Sequence, residues 1–141
     1  MSLRDDLYKE VILDHYENPR NFGVLNPPAR QEKGMNPLCG DELELSVELE
    51  AGIIKDIMFQ GKGCSISQAS SSMMTEAVKG MDKKSALALM QKFKSAILED
   101  KEQEFTEEEG DLEALLGVKK YPVRVKCAVL AWNTLEKALE E

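Results

Sequence analysis

A change in hydrophobic period near residue 43 constrains the fold of this chain more than any other feature. Leucine or valine at every second position alternates with glutamate and serine from Leu43 to Glu50, which is typical of a strand with one solvated face. Ala51-Gly52 has the composition of a turn, and Ile53 to Gln60 supplies a second apolar run. The sequence therefore predicts a β-hairpin.

Segments with helical spacing flank this hairpin. The predicted helices are Leu3 to about Tyr16, Ser65 to Lys79, Lys83 to about Leu98 with Asp82 as N-cap, a shorter piece from Asp111 to Leu116 that ends at Gly117, and a last helix opened by Tyr121-Pro122. Prolines and glycines between Arg20 and Pro37 indicate a loop or an irregular edge strand. Because strands and helices are segregated, we expect one α+β domain over residues 1–141, a small antiparallel sheet covered by about five helices.

Charge and hydropathy exclude two classes of partner. A net charge of -8 argues against nucleic acid, which requires a concentrated basic surface. No apolar run approaches the roughly 20 residues that span a bilayer, and the N-terminus lacks a secretory signal. We therefore expect a cytoplasmic protein without membrane contact. The acidic segment Glu99 to Asp111 indicates a solvated loop.

The three cysteines are candidate metal ligands. An odd number excludes a closed disulfide framework, and in a reducing compartment each should be a thiol or a ligand. Positions equidistant from the hairpin turn lie opposite one another, which places Cys64 opposite residues 38 to 40 and therefore near Cys39. Cys39 and Asp41, two apart on an extended segment, share a face. Zinc requires four ligands, and Cys127 is the one remaining thiol.

Two features of the sequence favour the thiolate form of Cys64 and of Cys127. Cys64 precedes a predicted helix, where free N–H groups and the helix dipole stabilise an anion. Arg124 lies three residues before Cys127, so its guanidinium can pair with that thiolate or with Asp41.

Other interpretations of the same residues remain open at this point. A buried cysteine often serves only as a small hydrophobic residue, and none of the three lies in a CxxC pair. Asp41 could equally be a turn residue. We expect His15 to be a partly buried helix residue with a hydrogen bond, not a ligand or a base. A thiol hydrolase or redox enzyme would need a general base beside its nucleophile. A plain interaction domain with an acidic loop would need none of the cysteines.

The chain resembles the NifU/IscU-type iron–sulfur scaffold family from end to end. The matching stretches are Asp14-His15-Tyr16, Asn18-Pro19-Arg20-Asn21-Phe22-Gly23, Cys39-Gly40-Asp41, Gly63-Cys64-Ser65, Ala69-Ser70-Ser71-Ser72, Thr75-Glu76 and Val123-Arg124-Val125-Lys126-Cys127. The resemblance implies an α+β fold and a site made of the three cysteines and Asp41. It also implies sulfur delivery by a cysteine desulfurase of the SufS/IscS type, and assembly of a 2Fe–2S cluster for downstream assembly proteins or apoproteins.

The chain departs from the scaffold pattern in two ways, and both make it similar to the SufU branch of the family. Lys126 stands where the scaffold pattern has histidine, and the stretch between Gly80 and Leu115 is longer than that pattern expects. The resemblance then implies zinc, with a 2Fe–2S cluster or iron as the alternative, and a sulfurtransferase-type carrier in place of a conventional enzyme. The expected ligands are Cys39, Asp41, Cys64 and Cys127. Cys127 is the first candidate sulfur acceptor and Cys64 the second, with Arg124 and Lys126 in support.

Overall fold

A three-stranded antiparallel sheet and five helices make up the described part of the chain, residues 3–27, 29–99 and 103–140 of a computed structural model. The elements in chain order are α1 (Leu3–Glu17), β1 (Arg30–Asn36), β2 (Asp41–Glu50), β3 (Ile53–Lys62), α2 (Ser65–Val78), α3 (Lys83–Leu98), a 3₁₀ helix (Glu107–Lys120) and α4 (Pro122–Glu140). This confirms the predicted α+β class. Within the described residues, no helix is long and apolar enough to cross a bilayer.

The predicted hairpin is present as β2 and β3, and β2 is the central strand of the sheet. The strand order is β1-β2-β3, and the turn is Ala51-Gly52, where both residues have positive φ (53° and 80°). The register shifts by one residue between Glu48 and Leu49, so that Leu43 pairs with Gly61 further along the strands. A bulge of this kind leaves one residue of β3 unpaired and increases the local twist.

The segment from Arg20 to Pro37 contains more regular structure than a loop. Its second half is the edge strand β1, which pairs with β2 from Arg30 to Asn36. In its first half, Asn21 and Gly23 bond to the other edge of the sheet: the amide of Phe59 donates to the Asn21 carbonyl at 3.0 Å, and the amide of Gly23 donates to the Phe59 carbonyl at 2.8 Å. The described residues of this segment therefore supply one edge strand and pair with the strand at the opposite edge.

The core lies between one face of the sheet and the helices. Leu43, Leu45 and Val47 are buried on β2, as their alternation predicts. Phe93 of α3 and Trp132 of α4 stack with ring centroids 5.0 Å apart, and both are fully buried. Complete burial of an apolar side chain typically stabilises a fold by roughly 1.5–3 kcal/mol.

The C-terminal helix lies directly across β1. At Gly34 a Cβ atom would collide with the hydroxyl oxygen of Thr134, so the absence of a side chain permits this close approach. Arg30 donates to the Ala138 carbonyl at 3.0 Å at the far end of the same contact. Since α4 carries Cys127 and β1 leads into Cys39, this packing sets how the two cysteines face each other.

The helix ends agree with prediction except in one segment. Asp82 caps α3 by accepting the Ser85 amide at 2.8 Å. The piece expected from Asp111 to Leu116 is instead a 3₁₀ helix that runs from Glu107 through Gly117 to Lys120. The prediction of a solvated loop over Glu99 to Asp111 is therefore wrong from Glu107 onward, and residues 100–102 of that segment lie outside the described residues.

His15 lies where α1, α2 and the 3₁₀ helix meet. It is fully buried, not partly buried as expected, and the predicted hydrogen bonding is present on both ring nitrogens. Nδ1 lies 2.8 Å from the Ser72 hydroxyl, and Nε2 lies 2.8 Å from a carboxylate oxygen of Asp111.

Candidate metal centre

Four predicted site residues come from three separate parts of the fold. Cys39 lies in the turn between β1 and β2, and Asp41 is the first residue of β2. Cys64 is the N-cap of α2, and Cys127 lies in the second turn of α4. The sheet end and two helix starts therefore meet at this point.

Three of the four residues form a tight cluster of ligand atoms, and Cys64 lies beside this cluster. The sulfur of Cys127 lies 3.0 Å from that of Cys39. Ligand atoms of Cys39, Asp41 and Cys127 all lie within 4.8 Å of one another. The Cys64 sulfur lies 3.8 Å from Oδ2 of Asp41. The structure thus brings together all four residues that the sequence singled out, with Asp41 linking Cys64 to the others.

Asp41 is held in place by its backbone surroundings. It is completely buried, and its Oδ1 accepts the amide of Cys64 at 2.8 Å. Gly63 makes this approach possible: its φ is +153°, and a Cβ there would collide with the Asp41 carboxylate. Only glycine adopts this conformation readily.

The position of Cys64 at the helix start is confirmed. Its sulfur accepts the amide of Ser67 at 3.5 Å, which is the hydrogen bond of an N-cap side chain. No acidic residue lies in the first turn of α2. The Cys64 sulfur therefore satisfies one of the free amides at the start of this helix.

Cys127 differs from the other two cysteines in its burial. It is fully buried, whereas Cys39 and Cys64 are half-buried. Burial raises the pKa of the Cys127 thiol far above its ordinary value, and hydrogen bonding with Cys39, Asp41 and Cys64 raises it further. The first candidate acceptor is therefore shielded from solvent in the arrangement seen here.

Asn36 is a site residue that the sequence did not indicate. It is buried at the end of β1, and its side-chain amide donates to the Cys127 sulfur at 3.7 Å. Its Oδ1 accepts the amide of Leu38 at 3.3 Å, which shapes the turn carrying Cys39. The Asn36-Pro37 dipeptide is a turn signal, yet nothing local in the sequence links it to a cysteine 91 residues away.

Arg124 and Lys126 have different relations to the site. The thiolate of Cys64 beside Arg124 raises the pKa of the guanidinium, with a smaller contribution from hydrogen bonding to Cys127. The sequence predicted Cys127 or Asp41 as the partner of Arg124, whereas the stronger interaction is with Cys64. Lys126 is exposed, and among the described residues its side chain forms no hydrogen bond or ion pair with the four candidate ligands.

The donor set suits a soft or borderline metal. Thiolates select zinc and iron–sulfur clusters, and three sulfurs with one carboxylate oxygen are within the tetrahedral ligand repertoire of zinc. The buried Asp41 carboxylate and the raised pKa of Cys127 both indicate groups that a cation would stabilise. The four residues therefore fit zinc.

An open groove of about 940 Å³ lies beside Cys39. It is lined by residues of the turn before β2, the start of α2 and the start of α4: Leu38, Cys39, Ser65, Ile66, Val118, Lys120, Tyr121, Pro122, Val123 and Arg124. Three of its apolar side chains, Leu38, Tyr121 and Val123, are more than half exposed. The half-buried thiol of Cys39 is therefore next to an apolar surface that is open to solvent.

Comparisons with known proteins identify the family of this chain. The family described as NifU-like N terminal domain matches residues 7–141. The chain is 50% identical over 135 residues to the zinc-dependent sulfurtransferase SufU of Bacillus subtilis (strain 168), covering 96% of this chain and 90% of that protein. It is 43% identical over 140 residues to the iron-sulfur cluster assembly scaffold protein IscU of Streptococcus pyogenes serotype M1, covering 99% and 87%.

A solved structure shares the fold. It is the crystal structure of a putative iron-sulfur cluster assembly scaffold protein for the SUF system from Fervidobacterium islandicum AW-1, with a TM-score of 0.84 and 38% identity over 92% of this chain and 94% of that one. This chain belongs to the family of NifU-like N-terminal domains.

Proposed function

We propose that this chain is an iron–sulfur cluster biogenesis protein that accepts persulfide sulfur from a cysteine desulfurase at a zinc site. The observation that carries the proposal is the convergence of three thiols and a buried carboxylate beside an open groove. The 50% identity to a zinc-dependent sulfurtransferase supports it.

The residues that would hold zinc are Cys39, Asp41, Cys64 and Cys127. When bound, zinc keeps coordinating thiols deprotonated at neutral pH. Hydrogen bonds within the chain position two of these ligands: the Cys64 amide orients Asp41, and Asn36 orients the Cys127 sulfur.

The sulfur transfer is a thiol–disulfide type exchange. A thiolate of this chain attacks the terminal sulfur of the persulfide on the desulfurase cysteine, and a new sulfur–sulfur bond forms. The bond within the donor persulfide breaks, and the desulfurase cysteine leaves as a thiolate. The terminal sulfur keeps its oxidation state, so the step needs no reductant.

Burial decides which thiol of this chain can attack first. Cys127, the first candidate from the sequence, is fully buried, whereas Cys64 and Cys39 are half-buried. An attacking thiolate must be reachable by the donor. The order of exposure therefore favours Cys64 or Cys39 as the acceptor, with Cys127 reacting only after the site has opened.

The groove is the surface we assign to the desulfurase. Leu38, Tyr121 and Val123 offer exposed apolar anchors, and Lys120 and Arg124 line the same groove with positive charge. Apolar side chains at the centre with charged groups at the rim are typical of specific protein interfaces. We therefore expect a desulfurase of the SufS/IscS type to dock here with acidic side chains facing the two cations.

The test is sulfur transfer from a desulfurase supplied with radiolabelled cysteine. Zinc content and label on the chain are measured for wild type and for Cys39→Ser, Cys64→Ser and Cys127→Ser. We expect about one zinc per wild-type chain, loss of zinc in Cys64→Ser, and no label when the acceptor is replaced. Stoichiometric zinc that survives all three substitutions together would refute the ligand assignment.

A cluster scaffold is the second candidate, because the same thiols can ligate a 2Fe–2S cluster and the chain is 43% identical to a scaffold protein. One feature disfavours it: Lys126, as a protonated ammonium, cannot replace a histidine ligand. Anaerobic reconstitution with iron and desulfurase separates the two. A stable visible chromophore that transfers to an apoprotein supports the scaffold, and retained zinc with label on the chain supports the carrier.

A further inference from the structure

A second group of ligand-type side chains surrounds His15, at the junction of α1, α2 and the 3₁₀ helix. Ligand atoms of His15, Glu76 and Asp111 all lie within 4.8 Å of one another. Among the described residues this is the one such group besides the cysteine site. It uses the single histidine of the chain, which the sulfur chemistry leaves without a role.

Both ring nitrogens of His15 have a partner, and Nε2 is the one that faces the two carboxylates. The imidazole is fully buried, and Nδ1 lies 2.8 Å from the Ser72 hydroxyl. Nε2 points instead towards Asp111, 2.8 Å away. The side chains of Asp111 and Glu76 are about half exposed (49% and 52%), so the three groups form an inner nitrogen and two outer carboxylates that face solvent.

This arrangement has the features of a metal site whose histidine is already oriented. Metal-ligating histidines almost always use their other nitrogen in a hydrogen bond, which Ser72 provides here. Two ligands bonded at right angles to one ion at about 2.1 Å lie about 3 Å apart, close to the distance between Nε2 and the Asp111 oxygen.

The local charge also favours a cation. Asp14, Glu76 and Asp111 bring three carboxylates together here, and Arg20 is the cation that pairs with two of them among the described ion pairs. The Arg20 guanidinium pairs closely with Asp14, at 2.7 Å, and more loosely with Glu76, at 3.8 Å. Glu76 is therefore left with a weak partner and can turn towards an ion.

We propose that His15, Glu76 and Asp111 form a second metal site for a divalent first-row transition ion. One imidazole and two carboxylates suit manganese, iron, cobalt or zinc better than magnesium or calcium, which take oxygen ligands alone. The site is separate from the cysteines, since Ser72 and Glu76 lie two to three turns along α2 from Cys64, about 12 to 18 Å. An ion there links the 3₁₀ helix to α1 and α2 and stabilises their packing.

The experiment uses Co²⁺ added to the zinc-loaded full-length chain, with metal content and absorption measured together. We expect one additional Co²⁺ per chain, without the sulfur-to-cobalt charge-transfer band that binding at the cysteines would give. Asp111→Asn and Glu76→Gln should each weaken this binding by about 100-fold or more, because removing even an outer-shell partner typically weakens it 10- to 100-fold. Added Co²⁺ should also raise the melting temperature of wild type and leave that of Asp111→Asn unchanged.

The matched control is Glu17→Gln, which removes the same charge from an exposed position two residues from His15 and should bind Co²⁺ like wild type. Both ligand variants change half-exposed side chains, and retained zinc with a native circular dichroism spectrum shows that they fold. Absence of a second ion, Co²⁺ that appears only with the charge-transfer band, or equal binding by all variants would each overturn the proposal. None of these outcomes bears on sulfur uptake at the cysteines.

Discussion

Oδ1 of the buried Asp41 accepts the backbone amide of Cys64 at 2.8 Å. This single bond joins the first residue of β2 to the start of α2 and sets the carboxylate beside the three cysteine sulfurs. Asp41 therefore has two separable tasks: its charge contributes to metal binding, and its acceptor oxygen fixes the turn before Cys64.

Asp41→Asn and Asp41→Ala should separate these tasks. Asparagine keeps an oxygen for the Cys64 amide, whereas alanine leaves that amide without its acceptor at a cost of about 1–3 kcal/mol. We expect both variants to lose zinc affinity in competition with a chelator, and only Asp41→Ala to show a clear drop in the free energy of unfolding of the metal-free protein in urea. Wild-type zinc affinity in Asp41→Asn would show that the carboxylate is not a ligand.

Gly63→Ala tests the backbone that supports Asp41. The variant must place a Cβ at a φ of +153° and against the Asp41 carboxylate, so it should lose both stability and zinc affinity. Gly80→Ala is the matched control: Gly80 has a φ of +91°, and no heavy atom lies within 4 Å of the position that a Cβ would take there, so this variant carries the backbone strain alone. We expect Gly80→Ala to melt at a lower temperature and still bind zinc like wild type. Equal zinc loss in both variants would contradict the contact with Asp41.

Local patterns predicted the hairpin and four of the five helices because each depends on neighbours in sequence. The alternation from Leu43 to Leu49 and the cap at Asp82 are of this kind. The 3₁₀ helix was predicted too short, since its 14 residues include Gly117 and lack the 3.6-residue period by which a helix is recognised.

The sequence predicted which residues form the candidate site better than it predicted how they are arranged. The hairpin register placed Cys39 near Cys64, but the strand pairing ends at Glu42 and Lys62, and Cys64 instead contacts Asp41. The burial of Cys127 and its contact with Asn36 depend on how α4 crosses β1, which is a tertiary packing that no local pattern contains. The same holds for His15, whose partners Ser72 and Asp111 are 57 and 96 residues away.

Zinc binding should release protons, and its affinity should rise with pH. Burial raises the pKa of Cys127 above its ordinary value, so this thiol is protonated in the metal-free fold at neutral pH and must lose its proton to become a ligand. Calorimetric titration with zinc in buffers of different ionisation enthalpy measures the number of protons released. An affinity that is constant from about pH 6 to about pH 8 would contradict this assignment.

The same raised pKa predicts how the metal-free protein responds to alkali. A group whose pKa is raised by folding contributes its stability below the unfolded-state pKa and loses it at higher pH. The free energy of unfolding should therefore fall as the pH rises above about 8.5, where the thiol of the unfolded chain ionises and that of the folded chain does not. Cys127→Ser removes the titrating group and should show a smaller fall in the same urea experiment.

Arg124 should control the reactivity of the cysteines, and Lys126 should not. The two cations are two residues apart at the start of α4 and both are exposed, but only Arg124 interacts with the sulfurs, chiefly with that of Cys64. Arg124→Gln removes this partner from the thiolate, so alkylation of the zinc-free protein by iodoacetamide at neutral pH should slow by about tenfold or less, since the pair is exposed and screened. Lys126→Gln removes the same charge without the contact and should react at nearly the wild-type rate. If both variants slow equally, the effect comes from the general positive field at the start of α4, and the specific pairing of Arg124 with Cys64 is wrong.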